Sequence, residues 1–179
     1  MLKVVLILAG CIGVLIVGVL VLAAAKPDKF SVQRSASIKA PPDKIFPLID
    51  DFHRWSAWSP YEKKDPAMKR TFGTTSAGKG AVYEWDGNSA VGSGRITIMD
   101  TAPPSKVMID LDMQRPINAH NNVVFSLEPQ GDATKVTWAM SGGVSYVAKI
   151  MHVFVNMDKM IGGDFEVGLA KLKAVAESH

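Results

Sequence analysis

The sequence has one cysteine and few histidines, and this scarcity excludes several classes of site. Cys11 is the single cysteine in 179 residues and lies inside an apolar N-terminal run. The globular part therefore has no disulfide framework, no CxxC metal site and no thiol nucleophile. The four histidines are far apart and none has a partner at metal-ligand spacing; they are His53, His120, His152 and His179. We expect surface or boundary histidines, no metal site and no cofactor.

An excess of charge of one sign is also missing. The 20 lysines and arginines nearly balance 17 acidic residues, which gives a formal net charge of +3, and the basic residues are scattered. This pattern does not predict nucleic-acid binding. The adjacent acids Asp50 and Asp51 are expected to solvate a helix end or to cap Arg54 rather than to perform acid–base chemistry. No catalytic residue is assigned, and the residues favour a binding module over an enzyme without deciding the question.

A long uncharged run is present at the N-terminus. From Val4 to Ala25 there is no charged residue, and at about 1.5 Å per helical residue the run reaches roughly 33 Å, the thickness of a bilayer's hydrocarbon core. An uncleaved anchor is the favoured interpretation. A cleaved export signal is the second, because the three alanines ending at Ala25 resemble a cleavage site. A lipoprotein signal is the third, because Leu8 to Cys11 resembles a lipoprotein box.

The charges that flank this run disagree about its orientation. Lys3 favours a cytoplasmic start, whereas Lys26, Lys29 and Arg34 favour a cytoplasmic side for the residues that follow. We predict a single-pass membrane protein and slightly favour the extracytoplasmic side for its globular part. The predicted organisation is an anchor or export signal with a short linker over residues 1–29 and one domain over 30–179.

Alternating apolar and polar residues fill the first two thirds of that domain. The alternation from Phe30 to Lys39 predicts the first strand, and two short helices follow because Pro47 would kink one long helix. Six further strands are predicted at Met68 to Phe72, Ala81 to Trp85, Gly94 to Asp100, Lys106 to Met113, Asn122 to Glu128, and Thr134 to Met140. Their short connections imply antiparallel pairing.

The C-terminal stretch from Tyr146 to Glu177 has the period of an amphipathic helix. Its apolar stripe consists of Ile150, Phe154, Met157, Ile161, Phe165, Leu169, Leu172 and Ala176. Gly162 and Gly163 interrupt the stripe, and each costs about 1 kcal/mol in a helix interior. The helix therefore either bends there or consists of two helices that meet there. The order of elements predicts an α+β domain in which one sheet wraps the terminal helix.

Four sequence blocks together resemble the START-like (SRPBCC) superfamily, in its polyketide cyclase/dehydrase and lipid transport group. The blocks are SIKAPPDKIFPLIDDFHRWSAWSPYEKKDP, GAVYEWDGNSAVGSGRITI, TKVTWAMSG and MDKMIGGDFEVGLAKLK, and the resemblance covers about Ser31 to Ala176. It implies a helix-grip fold, a curved seven-stranded antiparallel sheet around a long C-terminal helix with an apolar cavity between them. The group includes lipid carriers, hydrophobic-ligand binders and a few cyclases, and it offers no shared catalytic motif to transfer.

The inward positions of the strands and of the terminal helix supply the candidate ligand-binding residues. The predicted cavity-lining residues are Trp58, Tyr83, Trp85, Ile109, Phe125, Trp138, Phe154, Met157 and Ile161. The cluster Trp55, Trp58 and Tyr61 has two interpretations, a structural plug or a cavity mouth. Arg95 and Arg115 are the candidates for holding an anionic head group, although surface solvation is favoured for both.

The predicted function is membrane-tethered binding or transport of a hydrophobic small molecule or lipid. The partners are then that ligand and the membrane, with no nucleic acid. The alternatives are a cyclase- or dehydratase-like enzyme that uses the same cavity, and a ligand-free interaction domain. An enzyme would need an ionisable group desolvated inside the cavity, whereas a binding module needs apolar walls and a few orienting polar groups.

Overall fold

The computed structural model describes residues 2–178, apart from the side chains of residues 2 and 5, so the predicted surface residue His179 lies outside it. The helices are α1 (Leu2–Ala24), α2 (Pro42–Asp50), a 3-10 helix (Phe52–Ala57), α3 (Pro60–Lys64), α4 (Tyr146–Phe154) and α5 (Met157–Glu177). The strands are β1 (Lys29–Ile38), β2 (Lys69–Phe72), β3 (Val82–Asp86), β4 (Ser93–Ala102), β5 (Lys106–Arg115), β6 (Ala119–Gln130) and β7 (Ala133–Gly143).

The seven strands form one antiparallel sheet in the order β1-β7-β6-β5-β4-β3-β2. The prediction of seven strands is confirmed, with each boundary within three residues of the expected one. The first strand of the sequence, β1, pairs with the last, β7, so that Val32 lies opposite Met140. β1 and β2 are the free edges of the sheet.

One face of the sheet is dry, as the alternation predicts. On β6, Val123, Phe125 and Leu127 are buried while the residues between them are partly exposed, and β7 repeats this pattern at Val136 and Trp138. Side chains that alternate along a strand point to opposite faces, so the buried set forms a continuous apolar surface. The buried side of α5 lies on this surface.

The terminal helix differs from its prediction in where it breaks. α5 runs without interruption through Gly162 and Gly163, and the chain separates α4 from α5 earlier, at Val155 and Asn156. The Asn156 side chain accepts a hydrogen bond of 2.9 Å from the Lys159 N–H and so caps α5. The expectation of a bend or a junction at the two glycines is therefore wrong.

An arginine of β1 explains why a glycine lies inside α5. The Arg34 guanidinium crosses from the sheet edge to α5, where it contacts Asp158 at 3.0 Å and Glu166 at 2.7 Å. A Cβ atom at Gly162 would come within 2.1 Å of the Arg34 Nη2 atom. Gly162 thus leaves the space through which the guanidinium reaches both carboxylates.

The segment between β1 and β2 covers one end of the dry face. Asp51 accepts a hydrogen bond of 3.0 Å from the His53 N–H and lies 3.7 Å from the Arg54 guanidinium, which agrees with its predicted capping role. The charged stretch after Ser59 is helical over Pro60–Lys64, because Pro60 begins α3 with a preset backbone angle.

Helix α1 extends away from the sheet. Its residues Leu6–Ala24 have a mean hydropathy of 3.0 and are almost entirely exposed, so the helix is long and apolar enough to cross a membrane. An export signal would pass the same test. α1 meets the rest of the protein mainly at α4, where the Tyr146 hydroxyl donates a hydrogen bond of 3.0 Å to the Leu20 carbonyl.

Candidate ligand-binding site between the sheet and helix α5

The space between the sheet and α5 is occupied by an aromatic layer, which we define as Trp55, Trp58, Phe125, Trp138 and Phe165. Trp138 of β7 stacks on Phe165 of α5, with ring centroids 4.1 Å apart and planes within 12°. Its ring also lies 4.9 Å from Phe125 and meets Trp58 edge to face at 5.6 Å. Trp138 is therefore the centre of the layer.

Local sequence holds these rings in place. Gly168 of α5 faces Trp138, and a Cβ atom there would lie 2.7 Å from the indole ring and 3.0 Å from Pro60. Trp55 and Trp58 each donate their indole N–H to a carbonyl of α2, to Ile49 at 2.8 Å and Leu48 at 2.7 Å. Of the two interpretations of this tryptophan cluster, structural core fits Trp55 and Trp58, since both are buried and hydrogen-bonded.

Trp138 differs from these two tryptophans in its polar atom. Its Nε1 atom is buried and has no hydrogen-bond partner among residues 2–178, and the whole side chain is only 3% exposed. A buried donor without a partner costs about 1–3 kcal/mol. The centre of the aromatic layer therefore holds one donor that no described protein group satisfies.

A second aromatic group continues the layer toward β2 and β3. Phe52 meets Trp55 at 5.1 Å and Tyr83 at 6.1 Å, and Tyr83 in turn stacks against Trp85 at 6.2 Å. These contacts extend the aromatic surface to the margin of the sheet.

A small polar network closes this margin. The Tyr83 hydroxyl donates a hydrogen bond of 3.0 Å to Glu62 of α3, and Arg70 of β2 donates one of 2.8 Å to the same carboxylate. Burial raises the pKa of Tyr83 well above its usual range, and the neighbouring Glu62 charge raises it further. Tyr83 is therefore a neutral donor at physiological pH.

Most of the predicted cavity-lining residues lie on the inner side of the sheet or of α5. Trp58, Tyr83, Ile109, Phe125, Trp138 and Ile161 are buried, and Trp85 and Met157 are partly buried beside them. Phe154 does not belong to this set. Its side chain is 72% exposed, because the break at Asn156 redirects α4 away from the sheet and toward α1.

Two surface depressions stand out among residues 2–178, and neither lies between the sheet and α5. The first has a volume of about 410 Å³ and is bordered by charged and polar residues of β2 to β5, among them Lys69, Glu84 and Arg115. The second has a volume of about 310 Å³ and is apolar, formed by Leu15, Ile16, Val19 and Leu20 of α1 with Ile150 of α4. In the described conformation the candidate binding residues instead contact one another.

The two arginines considered for an anionic head group are engaged on the protein surface. Arg95 lies 3.7 Å from Glu84 on the neighbouring strand, and both side chains are about half exposed. Arg115 is paired with Asp86 and donates a hydrogen bond of 3.0 Å to Ser93. Both arginines thus follow the favoured surface interpretation.

Sequence reasoning did not single out the Gly168 contact, the unpaired Trp138 donor or the Glu62 network. The first needs the distance between two elements that are remote in the chain. The second depends on what lies around one atom, which no spacing rule reports. For the third, Glu62 lies beside Lys63 and Lys64 in the sequence, which is the pattern of an ordinary solvated segment.

The curved antiparallel sheet wrapped around a C-terminal helix defines the helix-grip class of fold. The family model described as polyketide cyclase/dehydrase and lipid transport matches residues 29–177. The chain belongs to this family, and the resemblance seen in its sequence is confirmed. No curated protein matches the sequence.

Solved structures share the fold at low sequence identity. The di-domain ARO/CYC protein BexL of the BE-7585A biosynthetic pathway matches with a TM-score of 0.63 and 12% identity, over 88% of this chain and 53% of that one. The Aha1 dimer from Colwellia psychrerythraea matches with a TM-score of 0.60 and 16% identity, over 83% and 97%. A protein from Nitrosospira multiformis gives a TM-score of 0.60 and 20% identity, over 83% and 97%.

Proposed function

We propose that this domain binds a hydrophobic small molecule or lipid in the aromatic layer between the sheet and α5, and that α1 tethers it to a membrane. The observation that carries the proposal is the unpartnered indole N–H of Trp138 within otherwise apolar surroundings. Apolar walls with very few orienting polar groups are typical of small-molecule sites. Family membership agrees with this ligand class.

The chemistry of the layer favours one class of ligand. One donor and several aromatic faces suit a molecule with a large apolar body and one acceptor oxygen, such as a ketone, an ester or an acyl chain. Burying a methylene group contributes about 0.8 kcal/mol, whereas association costs an estimated 4–15 kcal/mol. A ligand with about ten or more buried carbons therefore gains enough from the site, and a ligand of a few carbons does not.

Binding requires that side chains of the layer move. Trp138, Phe125 and Phe165 are in mutual contact, so a ligand reaches the indole N–H only by displacing a neighbour. Met157, in the first turn of α5, is partly buried against the hydrophobic core, and its unbranched side chain adapts to new shapes more readily than a ring. We expect the opening on the Met157 side.

The tether rests on the length and composition of α1. We propose that residues 1–29 form an uncleaved anchor with a short linker, and that residues 30–179 form a single ligand-binding domain on the extracytoplasmic side. The contact of α1 with α4 supports this division. α1 meets the domain near its own C-terminal end, at Leu20, and is otherwise exposed along most of its length. Under this proposal the membrane is the source or the destination of the ligand.

The experiment compares two ligands that differ by one oxygen. The full-length protein in lipid nanodiscs is titrated with 2-dodecanone and with n-dodecane, and tryptophan fluorescence reports binding at matched free concentrations. A hydrogen bond contributes about 0.5–1.5 kcal/mol net, so we expect the ketone to bind roughly 2–12 times more tightly. Trp138→Phe should remove this preference while leaving dodecane binding nearly unchanged.

Trp85→Phe is the matched control. The indole N–H of Trp85 already donates to the Val91 carbonyl at 3.0 Å, so this variant should keep the ketone preference. Equal binding of the two ligands to the unmodified protein would show that Trp138 is not the donor. Absence of binding by both ligands would instead support a ligand-free interaction domain.

Catalysis is the alternative function. The observation in its favour is the polar network of Tyr83, Glu62 and Arg70 beside the aromatic layer. Tyr83 is a neutral donor beside the Glu62 carboxylate, and an acid and a base placed together in this way can move a proton on a carbonyl compound bound against the rings. A catalytic domain would return its ligand chemically altered, and Glu62→Gln would abolish the change without preventing binding. Recovery of unaltered ligand after long incubation supports binding alone.

A further inference from the structure

We infer that α4 is an interfacial helix whose outer face lies in the lipid bilayer beside α1. This inference rests on the proposed tethering by α1. Helix α4 has no part in the ligand-binding proposal, and the sequence pattern predicts it to be part of the buried terminal helix.

The outer face of α4 is apolar and exposed. Val147, Met151 and Phe154 are 62%, 46% and 72% exposed, and their spacing of four and three residues places them on one side of the helix. Val155, directly after the helix, adds an exposed fraction of 37%. Large apolar side chains grouped on one exposed face mark a surface that another apolar phase covers.

The single lysine of α4 is turned away from this face. Lys149 is buried and paired with Asp28 at 2.5 Å, and hydrogen bonding from Lys149 lowers the pKa of Asp28. The charge of α4 is thus neutralised on the side of the linker that follows α1. The residues that form the outer face, Val147, Met151 and Phe154, are themselves all uncharged.

The position of α4 relative to α1 selects the bilayer as the occupant. The Tyr146 hydroxyl bonds the Leu20 carbonyl, four residues before the end of α1 at Ala24, which is about 6 Å along the helix axis. Ile150 borders one apolar depression together with Leu15, Ile16, Val19 and Leu20 of α1. If α1 crosses the bilayer as far as Ala24, the contact between α4 and Leu20 lies inside the bilayer and not above its surface.

This depth matches that of known interfacial helices, which bury their apolar face about 5–10 Å into the boundary between head groups and acyl chains. Tyr146 supplies the amphipathic ring that commonly occupies this boundary. The apolar surface is also continuous from α1 through Ile150 to α4. The bilayer that contains α1 therefore covers α4 without any further partner.

The test places an environment-sensitive fluorophore along α4. In a Cys11→Ser background, single cysteines at Val147→Cys, Met151→Cys and Phe154→Cys are labelled with a nitrobenzoxadiazole dye. The full-length protein is then reconstituted in vesicles of phosphatidylcholine and phosphatidylglycerol. We expect blue-shifted emission, quenched by lipids that carry a nitroxide near the head group, at all three positions.

Two references calibrate the signal. A label at Leu15→Cys in α1 should be buried in lipid, and one at Glu128→Cys, exposed on β6, should report water. Emission at the three α4 positions equal to that of the Glu128 label would overturn the inference.

Two further outcomes separate the inference from its premise. If carbonate washing removes the protein from the vesicles, the tethering proposal fails. If the protein resists carbonate while the α4 labels report water, the tether stands and the inference about α4 fails. A blue shift that disappears when the protein is diluted into excess lipid would show that a second copy of the chain covers α4, which also overturns the inference.

Discussion

Three glycines of α5 have different surroundings although they share one helix. Gly163 has open space where a Cβ atom would be, Gly162 faces the flexible end of Arg34, and Gly168 faces the rigid ring of Trp138. An alanine gains about 1 kcal/mol of helix propensity over glycine in a helix interior. Whether that gain is realised depends on what the added methyl group meets.

Replacement of these glycines should therefore give opposite results. Gly163→Ala should raise the free energy of unfolding by about 0.5–1 kcal/mol. Gly168→Ala should lower it by about 1–3 kcal/mol, because the methyl group forces the Trp138 ring or Pro60 to move. Denaturant unfolding in detergent micelles measures both. An equal gain at the two positions would contradict the described contact between α5 and Trp138.

His120 gives a pH-dependent prediction. Its imidazole lies 2.6 Å from Asp112 across the β5–β6 pair, and this hydrogen bond raises the pKa of His120. A raised folded pKa means that the protonated form is stabilised, so its contribution is complete below the unfolded value of about 6.5 and is lost as pH rises through the higher folded value.

The measurement is the melting temperature of the protein and of His120→Gln between acid and alkaline pH. The unmodified protein should be the more stable of the two below pH of about 6.5, and this advantage should shrink at alkaline pH. An advantage that grows with pH would mean that the ion pair does not form.

At the scale of elements, the strands and the buried side of α5 are predictable from the sequence because burial imposes periods of 2 and 3.6 residues. Ile161, Phe165 and Leu172 are buried as the stripe indicates. The same stripe predicts burial of Phe154 wrongly. It treats the C-terminal stretch as one continuous helix, whereas the chain turns between α4 and α5 at Asn156. Periodicity reports which side is apolar and does not report whether protein or lipid covers it.

The candidate site is predictable to a smaller degree. Inward strand positions such as Phe125 and Trp138 follow from alternation, but the contacts that fill the layer depend on how α5 and Pro60 approach the sheet. The glycines illustrate the difficulty. Helix propensity alone predicts that Gly162 interrupts the helix. The structure shows instead that a glycine is needed there to make room for Arg34 of β1, a residue 128 positions earlier in the chain.

The division of α5 into a buried and an exposed side can be tested with two substitutions on one helix. Phe165→Ala should lower the free energy of unfolding by about 3–5 kcal/mol, since the ring is 1% exposed and stacked on Trp138. Val167→Ala, at a position that is 50% exposed, should change it by less than about 0.5 kcal/mol. Similar small effects in denaturant unfolding would mean that α5 does not cover the sheet.

The whole molecule combines a domain whose centre holds an unsatisfied donor with a helix that can hold the domain at a membrane. The two features reinforce each other, because a ligand with about ten or more carbons partitions into lipid before it meets a protein. Asn156, which caps α5, separates Met157 from the last residues of α4. Met157, on the side where we expect the layer to open, is therefore close in sequence to the proposed bilayer contact.

The most direct test of ligand binding is native mass spectrometry of the full-length protein released from nanodiscs made with its source membrane lipids. We expect a bound molecule with a long or polycyclic apolar body and at least one carbonyl or carboxyl oxygen, retained by Trp85→Phe and reduced in Trp138→Phe. A protein that carries no such molecule, and whose spectrum is identical in both variants, would contradict the account and indicate that side chains alone fill the layer.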